Sequence, residues 1–318
     1  MGDCLWGTPG IRALKKTFPD IKIDLLVNWP WRSLFDFNPY LNQIFDYYGD
    51  WYRQPLLGIK LLRRNYDAVL IFHTNSNFKR MLPWFHSLTI WCHQNFSWVP
   101  KAHRVNIHIE AHGIQRKLLM LEKFGVKPDG GQMEIFFDQN ILGESQQFLN
   151  ARGFSPEKFV FLNLGASVEI KRWEIGRFKE LAERILKKTP WKIVLGGGGA
   201  DDQQRNGAIL NQLDSARVLD VCNQPILLNA AIISKARLMV SADTGPMHIG
   251  LAVKTPVVAL SGIISHRSGP YEVPDHLCRV IKIDPEEKDE FDKPYSEGPW
   301  LRGITVDQVW EQVEKMLV

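Results

Sequence analysis

The sequence has no long hydrophobic run and few cysteines. No apolar stretch approaches the ~18 residues that span a bilayer, and the opening "MGDCLWGTPG" lacks the basic and apolar regions of a signal peptide. Cys4, Cys92, Cys222 and Cys278 lie far apart and form no C-x-x-C pair, which argues against a disulfide framework and a zinc knuckle. We therefore expect a cytoplasmic protein with reduced thiols and no metal site.

Several ligand-binding motifs are also missing. The chain has no D-x-D and no G-x-x-x-x-G-K-[ST], and G-x-G-x-x-G fails in "LGGGGADDQQR" (195–205) because Asp201 stands where the third glycine belongs. "HIEAH" (108–112) places two histidines four residues apart but offers no evident third ligand, so we discount zinc. These absences count against a dinucleotide motif and against a metal-bridged sugar diphosphate. They favour a tight glycine turn at 196–199.

The composition describes a globular protein with two domains. The chain has 318 residues, at which length one core tends to split into two, and 45% of them are hydrophobic. A net charge of +4 is mildly basic, which favours anionic substrates or a lipid surface but falls short of a nucleic-acid-binding protein. No nucleic-acid partner is expected.

Strand-like segments alternate with amphipathic ones along the whole chain. The strand-like segments are 21–27, 67–72, 159–165, 191–197, 236–242 and 255–261. The amphipathic ones are 10–18, 111–126, 141–154, 175–189, 226–236 and 304–318. This alternation predicts an α/β fold, with helices covering the faces of parallel sheets.

The domain boundary is predicted in the Gly- and Pro-rich stretch 127–140, which gives an N-terminal domain at 1–140 and a C-terminal domain at 141–303. A final helix at 304–318 has Thr305 as its cap, and we expect it to pack back across the first domain. Met1 stands directly before the first loop, where a first strand is normal. This favours a truncated start over a sheet that lacks the strand.

The stretch "SADTGPMHIG" (241–250) reads as a buried strand that turns into a helix. Thr244 would cap that helix, and its first turn would offer free N–H groups and a partial positive charge to a phosphate. Gly245 would let the phosphate approach the backbone, and His248 lies one helical turn beyond Thr244. Asp243 ends the strand. The alternative is an ordinary capped helix with a buried histidine.

Two other loops carry residues suited to the chemistry of phosphates. "GASVEIKRW" (165–173) places Lys171 and Arg172 after a strand, where two cations suit a diphosphate; a solvated basic turn is the alternative. "GDCLWGTPG" (2–10) places Asp3 at the edge of the first sheet, where it would act as a base unless it is only a turn residue. The aromatic and basic segment 78–104 suits a lipid surface or a sugar acceptor, with a core loop as the alternative.

Three segments, in this order, resemble the ADP-heptose:lipopolysaccharide heptosyltransferases of glycosyltransferase family 9. They are the opening "GDCLWGTPGIRALKKTFPDIKIDLLV", the loop "GASVEIKRW" and the turn "SADTGPMHIGLAV". The resemblance implies the GT-B fold, two Rossmann-like domains with a cleft between them. It also implies inverting, metal-independent transfer, without a cofactor, of heptose from ADP-heptose to a lipid-linked saccharide of lipopolysaccharide. Such an enzyme would be cytoplasmic and peripheral at the inner face of the cell membrane.

The resemblance also assigns roles to individual residues. Asp3 matches the catalytic base of the family and Lys171 the lysine at the donor phosphates, while Asp243, Thr244 and Gly245 match its nucleotide-sugar turn. His248 belongs to the same donor-binding motif. Two other functions remain open at this stage. One is a sugar-nucleotide epimerase of similar fold, and the other is a nucleotide-sugar-binding protein without turnover.

Overall fold

The computed structural model describes residues 1–73, 76–85, 89–93, 97–107, 111–214, 216–261, 265–282 and 301–317. The chain forms two compact units, of which one comprises Met1 and Asp3–Phe136 and the other Gly2 and Phe137–Val318. The division between Phe136 and Phe137 lies near the boundary expected at residue 140. Within these described ranges, no helix has the length and apolar character needed to cross a membrane.

The N-terminal part of the chain contains short parallel strand pairs and four α-helices. The helices are α1 (Gly2–Leu5), α2 (Thr8–Thr17), α3 (Gln54–Leu62) and α4 (Gly113–Glu122). The strands are β1 (Asp24–Asn28), β2 (Gln43–Tyr47), β3 (Val69–Ile71) and β4 (Ile90–Cys92), with β1 parallel to β2 and β3 parallel to β4. Short 3-10 helices lie at Trp29–Phe35, Ser76–Trp84 and Lys101–His103.

A buried arginine fixes α2 to the end of the first unit. Arg12 is 5% exposed, and its guanidinium pairs with Asp129 at 3.1 Å and with Glu134 at 3.0 Å. Thr8, in the first turn of α2, donates to the Leu5 carbonyl and accepts from the Glu134 N–H. Because a buried charge is costly unless it is paired, these contacts hold α2 in one position.

The second unit is built around a six-stranded parallel sheet. Its strands are β5 (Phe159–Asn163), β6 (Lys192–Gly196), β7 (Val218–Asp220), β8 (Leu238–Ala242), β9 (Val257–Ser261) and β10 (Cys278–Lys282). Its helices are α5 (Gln139–Asn150), α6 (Ile175–Lys188), α7 (Ala200–Leu210), α8 (Ile226–Ile233), α9 (Gly245–Ala252), α10 (Ser265–Ser268) and α11 (Val306–Leu317), and a 3-10 helix spans Glu169–Lys171. The order β10-β9-β8-β5-β6-β7 is that of a Rossmann sheet, whose topology reverses between β5 and β8.

Every residue of β5, β8 and β9 is buried. Continuous burial means that both faces of the sheet are covered, as a parallel sheet requires. The core beside it includes Trp173, whose indole N–H donates to the Ile304 carbonyl at 2.9 Å.

The final helix was expected across the first domain, and this expectation is wrong for its apolar face. Val309, Trp310 and Val313 of α11 are buried in the core of the second unit, because the sheet there needs an apolar cover. Thr305 and Gln308 exchange hydrogen bonds at the start of α11, as in a capping box, so the predicted cap is confirmed.

Sequence patterns located the strands of the second sheet more completely at its centre than at its edges. The predicted segments at 159–165, 191–197, 236–242 and 255–261 correspond to β5, β6, β8 and β9. The edge strands β7 and β10 were missed, as were β2, β4, α3, α7 and α10, and the loop expected at Asp3 is the short helix α1. The edge strands are only partly buried, so their sequences lack a continuous apolar run.

The glycine run at 196–199 provides a matched test of packing between β5 and β6. A Cβ on Gly196 would lie 2.2 Å from the ring of Phe161, which is 1% exposed, whereas a Cβ on Gly198 meets nothing within 4 Å. We expect Gly196→Ala to lower the free energy of unfolding by about 1–3 kcal/mol, the usual cost of overpacking. Gly198→Ala is the control. Equal urea midpoints for the two variants would contradict this packing.

Candidate functional site

Polar side chains join the carboxyl ends of β5 and β8, where the topology of the sheet reverses. The buried Asn163, the last residue of β5, donates to the Gly165 carbonyl at 3.0 Å and to Ser241 Oγ at 3.2 Å. Open α/β sheets bind ligands outside the carboxyl ends of their strands at such a switch point. The loops that follow β5 and β8 therefore define the candidate site.

The loop after β8 leads directly into α9. Thr244 occupies the N-cap position with an extended backbone, as predicted, but its side chain makes no capping hydrogen bond. Its hydroxyl donates instead to the Ala242 carbonyl at 3.2 Å. Gly245 and Pro246 form the first turn of α9. Because the Thr244 hydroxyl leaves this turn uncapped, its N–H groups suit an anion.

Asp243 lies beneath this turn and is 5% exposed. Its Oδ2 accepts from Ser268 Oγ at 3.1 Å and lies 3.9 Å from Lys171 Nζ. Its Oδ1 lies 3.9 Å from His248 Nε2 and has no hydrogen-bond partner within the described ranges. The carboxylate is thus directed at other side chains of the protein.

Lys171 extends from the loop after β5 to the turn after β8. Its ammonium donates to the Asp243 backbone carbonyl at 3.2 Å, and its side chain is 19% exposed. Lys171 thus places a positive charge at the N-terminus of α9. The helix dipole also attracts anions to this position. His248 sits in that helix and is 3% exposed. The predicted residues Lys171, Asp243, Thr244, Gly245 and His248 lie together.

Arg172 does not contribute a second cation in the way the sequence suggested. Its guanidinium pairs with Asp201 at 2.5 Å and donates to the Ala166 carbonyl at 3.0 Å. These bonds join the loop after β5 to the start of α7. Arg172 therefore links the loop after β5 to α7, and Lys171 supplies the cation at the turn.

The glycine loop after β6 borders the same sheet edge. Gly197 and Gly199 have φ values of 149° and 94°, which side chains other than glycine rarely adopt. The Asp202 carboxylate accepts from the Gly198 N–H at 2.9 Å. The same carboxylate would lie 2.2 Å from a Cβ on Gly165. The predicted tight turn is present, and it continues into α7.

Sequence reasoning missed the residues that hold the site together. Asn163 and Ser241 are polar residues at the ends of otherwise apolar strands, and that position is the signal that could have revealed them. Ser268 follows β9 by several residues and reaches Asp243 only through the tertiary fold. No sequence spacing indicates that contact.

Asp3 lies in α1 and belongs to the first unit. Its side chain is 44% exposed, and Oδ2 lies 4.0 Å from Nε2 of His73, which is half exposed. Partial burial lowers the pKa of His73 although Asp3 opposes the shift, so the imidazole is neutral at pH 7. Burial also raises the pKa of the neighbouring Cys4 thiol, which stays protonated.

Lys117 of α4 is a buried lysine near Asp3. It is 1% exposed, and its ammonium donates to the Gly113 carbonyl at 3.1 Å and lies 5.3 Å from the centre of the Trp6 ring. Burial lowers the pKa of Lys117 to about 8, against the opposing influence of Asp3. At neutral pH this unit therefore places a mostly protonated, poorly hydrated ammonium close to the Asp3 carboxylate.

The aromatic segment 78–104 is only partly described, because residues 86–88 and 94–96 lie outside the described ranges. Phe78, Met81 and Val99 are buried in a core cluster, whereas Lys79 and Arg80 are exposed. Its apolar residues thus fit the core-loop interpretation, and its cations remain at the surface.

Most of the "HIEAH" stretch, residues 108–110, lies outside the described ranges. His112 is described, and its Nδ1 accepts from the Ile114 N–H to cap α4. Among the described residues, no group of three or more His, Cys, Asp or Glu side chains is arranged to hold a metal ion.

Known proteins are similar to this chain in sequence. A family model described as "Glycosyltransferase family 9 (heptosyltransferase)" matches residues 57–301, more than half of the chain. Lipopolysaccharide heptosyltransferase 3 of Escherichia coli K12 is 26% identical over 83% of this chain and 80% of its own. Lipopolysaccharide core heptosyltransferase OpsX of Haemophilus influenzae is 36% identical over 69% of this chain and 64% of its own.

Solved structures match along nearly the whole length. A glycosyltransferase family 9 protein from Veillonella parvula superimposes with a TM-score of 0.84 at 20% identity, covering 100% of this chain and 94% of its own. Escherichia coli heptosyltransferase WaaC with ADP gives a TM-score of 0.78 at 17% identity, covering 99% and 97%. The two-domain GT-B fold predicted from the sequence is thereby confirmed.

The buried ammonium of Lys117 should make the stability of the fold depend on pH. The pKa of Lys117 in the folded chain, about 8, lies below the ordinary value of 10.5. Between these two pH values the unfolded chain therefore binds more protons at Lys117 than the folded chain does. Lys117 therefore destabilises the fold below about pH 8, and this penalty shrinks as pH rises. Lys117→Met removes the penalty, so its stability advantage over wild type should fall by about 1.4 kcal/mol between pH 7 and pH 9.

Urea unfolding at both pH values measures that change. Lys123→Met, which alters an exposed lysine just beyond α4, is the control and should show no comparable dependence on pH. A difference between Lys117→Met and wild type that stays constant with pH would contradict the lowered pKa.

Proposed function

Because the chain belongs to glycosyltransferase family 9 (heptosyltransferase), we propose that it transfers heptose from ADP-heptose to a lipid-linked saccharide of lipopolysaccharide. The names of its relatives support this substrate class, since both are lipopolysaccharide heptosyltransferases. A structural neighbour was solved with ADP-2-deoxy-2-fluoro heptose. We further propose that the transfer inverts the anomeric carbon and proceeds without a metal ion.

The position of Lys171 at the N-terminus of α9 carries the donor side of this proposal. Departure of ADP leaves negative charge on a diphosphate, and preorganised donors at that charge stabilise the transition state. Lys171 provides an ammonium, and the first turn of α9 provides backbone N–H groups that Thr244 does not cap. Together they supply positive charge for the leaving group without a metal.

The donor-binding role of Asp243 is then indirect. Its carboxylate is buried and faces Lys171, Ser268 and His248, which suits a residue that holds the cation and the turn in place. Asp243 thus contributes to donor binding by orienting Lys171, and Gly245 leaves room for the diphosphate.

Asp3 is proposed as the general base. Its half-exposed carboxylate can remove the proton of an acceptor hydroxyl while that oxygen attacks the anomeric carbon and the bond to the diphosphate breaks. The electron pair of that bond leaves with ADP, and the sugar passes through a state with oxocarbenium character.

We place this transfer at the cytoplasmic face of the membrane, with the protein bound peripherally. A lipid-linked acceptor is anchored in the bilayer, so the enzyme must meet it there. A net charge of +4 and the exposed Lys79 and Arg80 in segment 78–104 are compatible with an anionic lipid surface.

The diphosphate role of Lys171 is tested by ligand binding. Lys171→Ala should weaken ADP binding by about 10-fold to 150-fold, since a charge-assisted hydrogen bond contributes about 1.5–3 kcal/mol. Binding of adenosine should change little. Isothermal titration calorimetry measures both ligands, with the exposed Lys187→Ala in α6 as the control. Equal losses for ADP and adenosine would exclude contact with the phosphates.

The catalytic role of Asp3 is tested by Asp3→Asn, which keeps the size of the side chain and removes its basicity. Turnover with saturating acceptor should fall by about 10²–10⁴, the usual contribution of a positioned base. The dissociation constant of ADP should stay unchanged, because Lys171 and α9 bind the donor. Asp20→Asn changes an exposed carboxylate of the same unit and should retain activity.

Near-normal turnover of Asp3→Asn would overturn the base assignment, and loss of ADP binding would mean that Asp3 shapes the donor site. The same assays separate the two alternative functions. An epimerase would convert the nucleotide sugar in the absence of any acceptor. A binding protein would retain ADP but transfer nothing to any acceptor.

A further inference from the structure

A cavity of about 470 Å³ lies in the first unit, between α3 and the 3-10 helix Ser76–Trp84. Trp51, Gln54, Pro55, Arg80 and Trp84 line it. None of them is among the residues described above around Asp3 or around the donor turn. We propose that this cavity, here called the α3 pocket, binds an anionic sugar, one that carries a carboxylate or a phosphate.

A glycine on α3 shapes the wall of the pocket. A Cβ on Gly58 would lie 2.1 Å from the indole of Trp84, so only glycine allows the ring to lie against the helix. Trp51, just before α3, is 72% exposed and leaves its ring open to solvent. The pocket thus has one packed indole and one exposed indole, and such rings offer apolar faces to the C–H groups of a sugar.

Gln54 supplies an unsatisfied donor at the pocket. The residue is 5% exposed, yet its Nε2 has no hydrogen-bond partner among the described residues. A buried amide without a partner is costly, so such groups in native proteins call for an explanation. Gln54 lines the cavity, and a rotation of its side chain would bring the amide N–H to a ligand oxygen that accepts the missing hydrogen bond.

The charge of the pocket selects an anion. Arg80 is exposed, has no ion-pair partner in the described part of the chain, and faces no acidic residue among the five that line the cavity. Burial raises the pKa of the nearby Tyr47, which Arg80 opposes, so the phenol stays protonated. A guanidinium binds carboxylate and phosphate oxygens through paired hydrogen bonds. An indole face, an amide donor and an exposed guanidinium together suit an acidic or phosphorylated sugar.

This inference rests on the proposed function, because it assigns the α3 pocket to the saccharide acceptor. The binding test does not require transfer, so the two can fail separately. Saturation-transfer NMR would measure glucuronate, glucose 6-phosphate, glucose and inorganic phosphate with the full chain. We expect at least one of the two anionic sugars to bind at least tenfold more tightly than glucose or phosphate.

Arg80→Gln should weaken that anionic sugar at least tenfold, and Trp51→Ala should weaken it in the same direction. Both side chains are exposed, so the fold should tolerate their loss. Lys60→Gln removes an exposed cation of α3 outside the pocket and should change nothing. With the natural acceptor, Arg80→Gln should raise KM and leave kcat and ADP binding unaltered.

Three outcomes would overturn the proposal. The anionic sugars could bind no better than glucose, or they could bind wild type and Arg80→Gln equally. Inorganic phosphate could also match them, which would make the pocket a site for free anions. A preference for glucuronate or for glucose 6-phosphate identifies the acidic group as a carboxylate or a phosphate.

Discussion

The proposed donor site depends on one buried carboxylate. Asp243 ends β8 under the turn to α9, and a charge at that depth is tolerated only with compensating contacts. Ser268 and Lys171 provide these contacts. The Lys171 ammonium lies near both the side-chain carboxylate and the backbone carbonyl of Asp243. The burial of one anion therefore fixes a cation at the point where the sheet reverses.

In the proposed reaction, each unit has its own part of the chemistry. During this proposed reaction, Lys171 and the uncapped start of α9 stabilise the charge that develops on the leaving diphosphate from positions that they already hold in the second unit. In the first unit, Asp3 keeps its carboxylate accessible, and Lys117 lies close by with a lowered pKa. In each unit a buried charged residue, Asp243 or Lys117, lies next to the proposed site, and the surrounding packing holds it in place.

The sequence revealed the parts of this arrangement that depend on local patterns. Apolar runs located β5 and β8, and the turn at 243–248 follows from a strand, a glycine and a helix in succession. Long-range contacts could not be predicted in this way: the Ser268 hydroxyl, the pairing of Arg172 with Asp201 and the packing of α11 depend on tertiary structure. The aromatic and basic segment 78–104 supplies Arg80 and Trp84 of the α3 pocket, but no local pattern indicates that Trp51 and Gln54 line it as well.

The most direct test of the donor site is a crystal structure of the protein with ADP. A diphosphate oxygen should lie within ~3 Å of Lys171 Nζ, and another should accept from the backbone N–H groups of the first turn of α9. The Asp243 carboxylate should still lie next to the Lys171 ammonium. An ADP molecule whose diphosphate lies away from both groups, with Lys171 bound only to Asp243, would contradict the account.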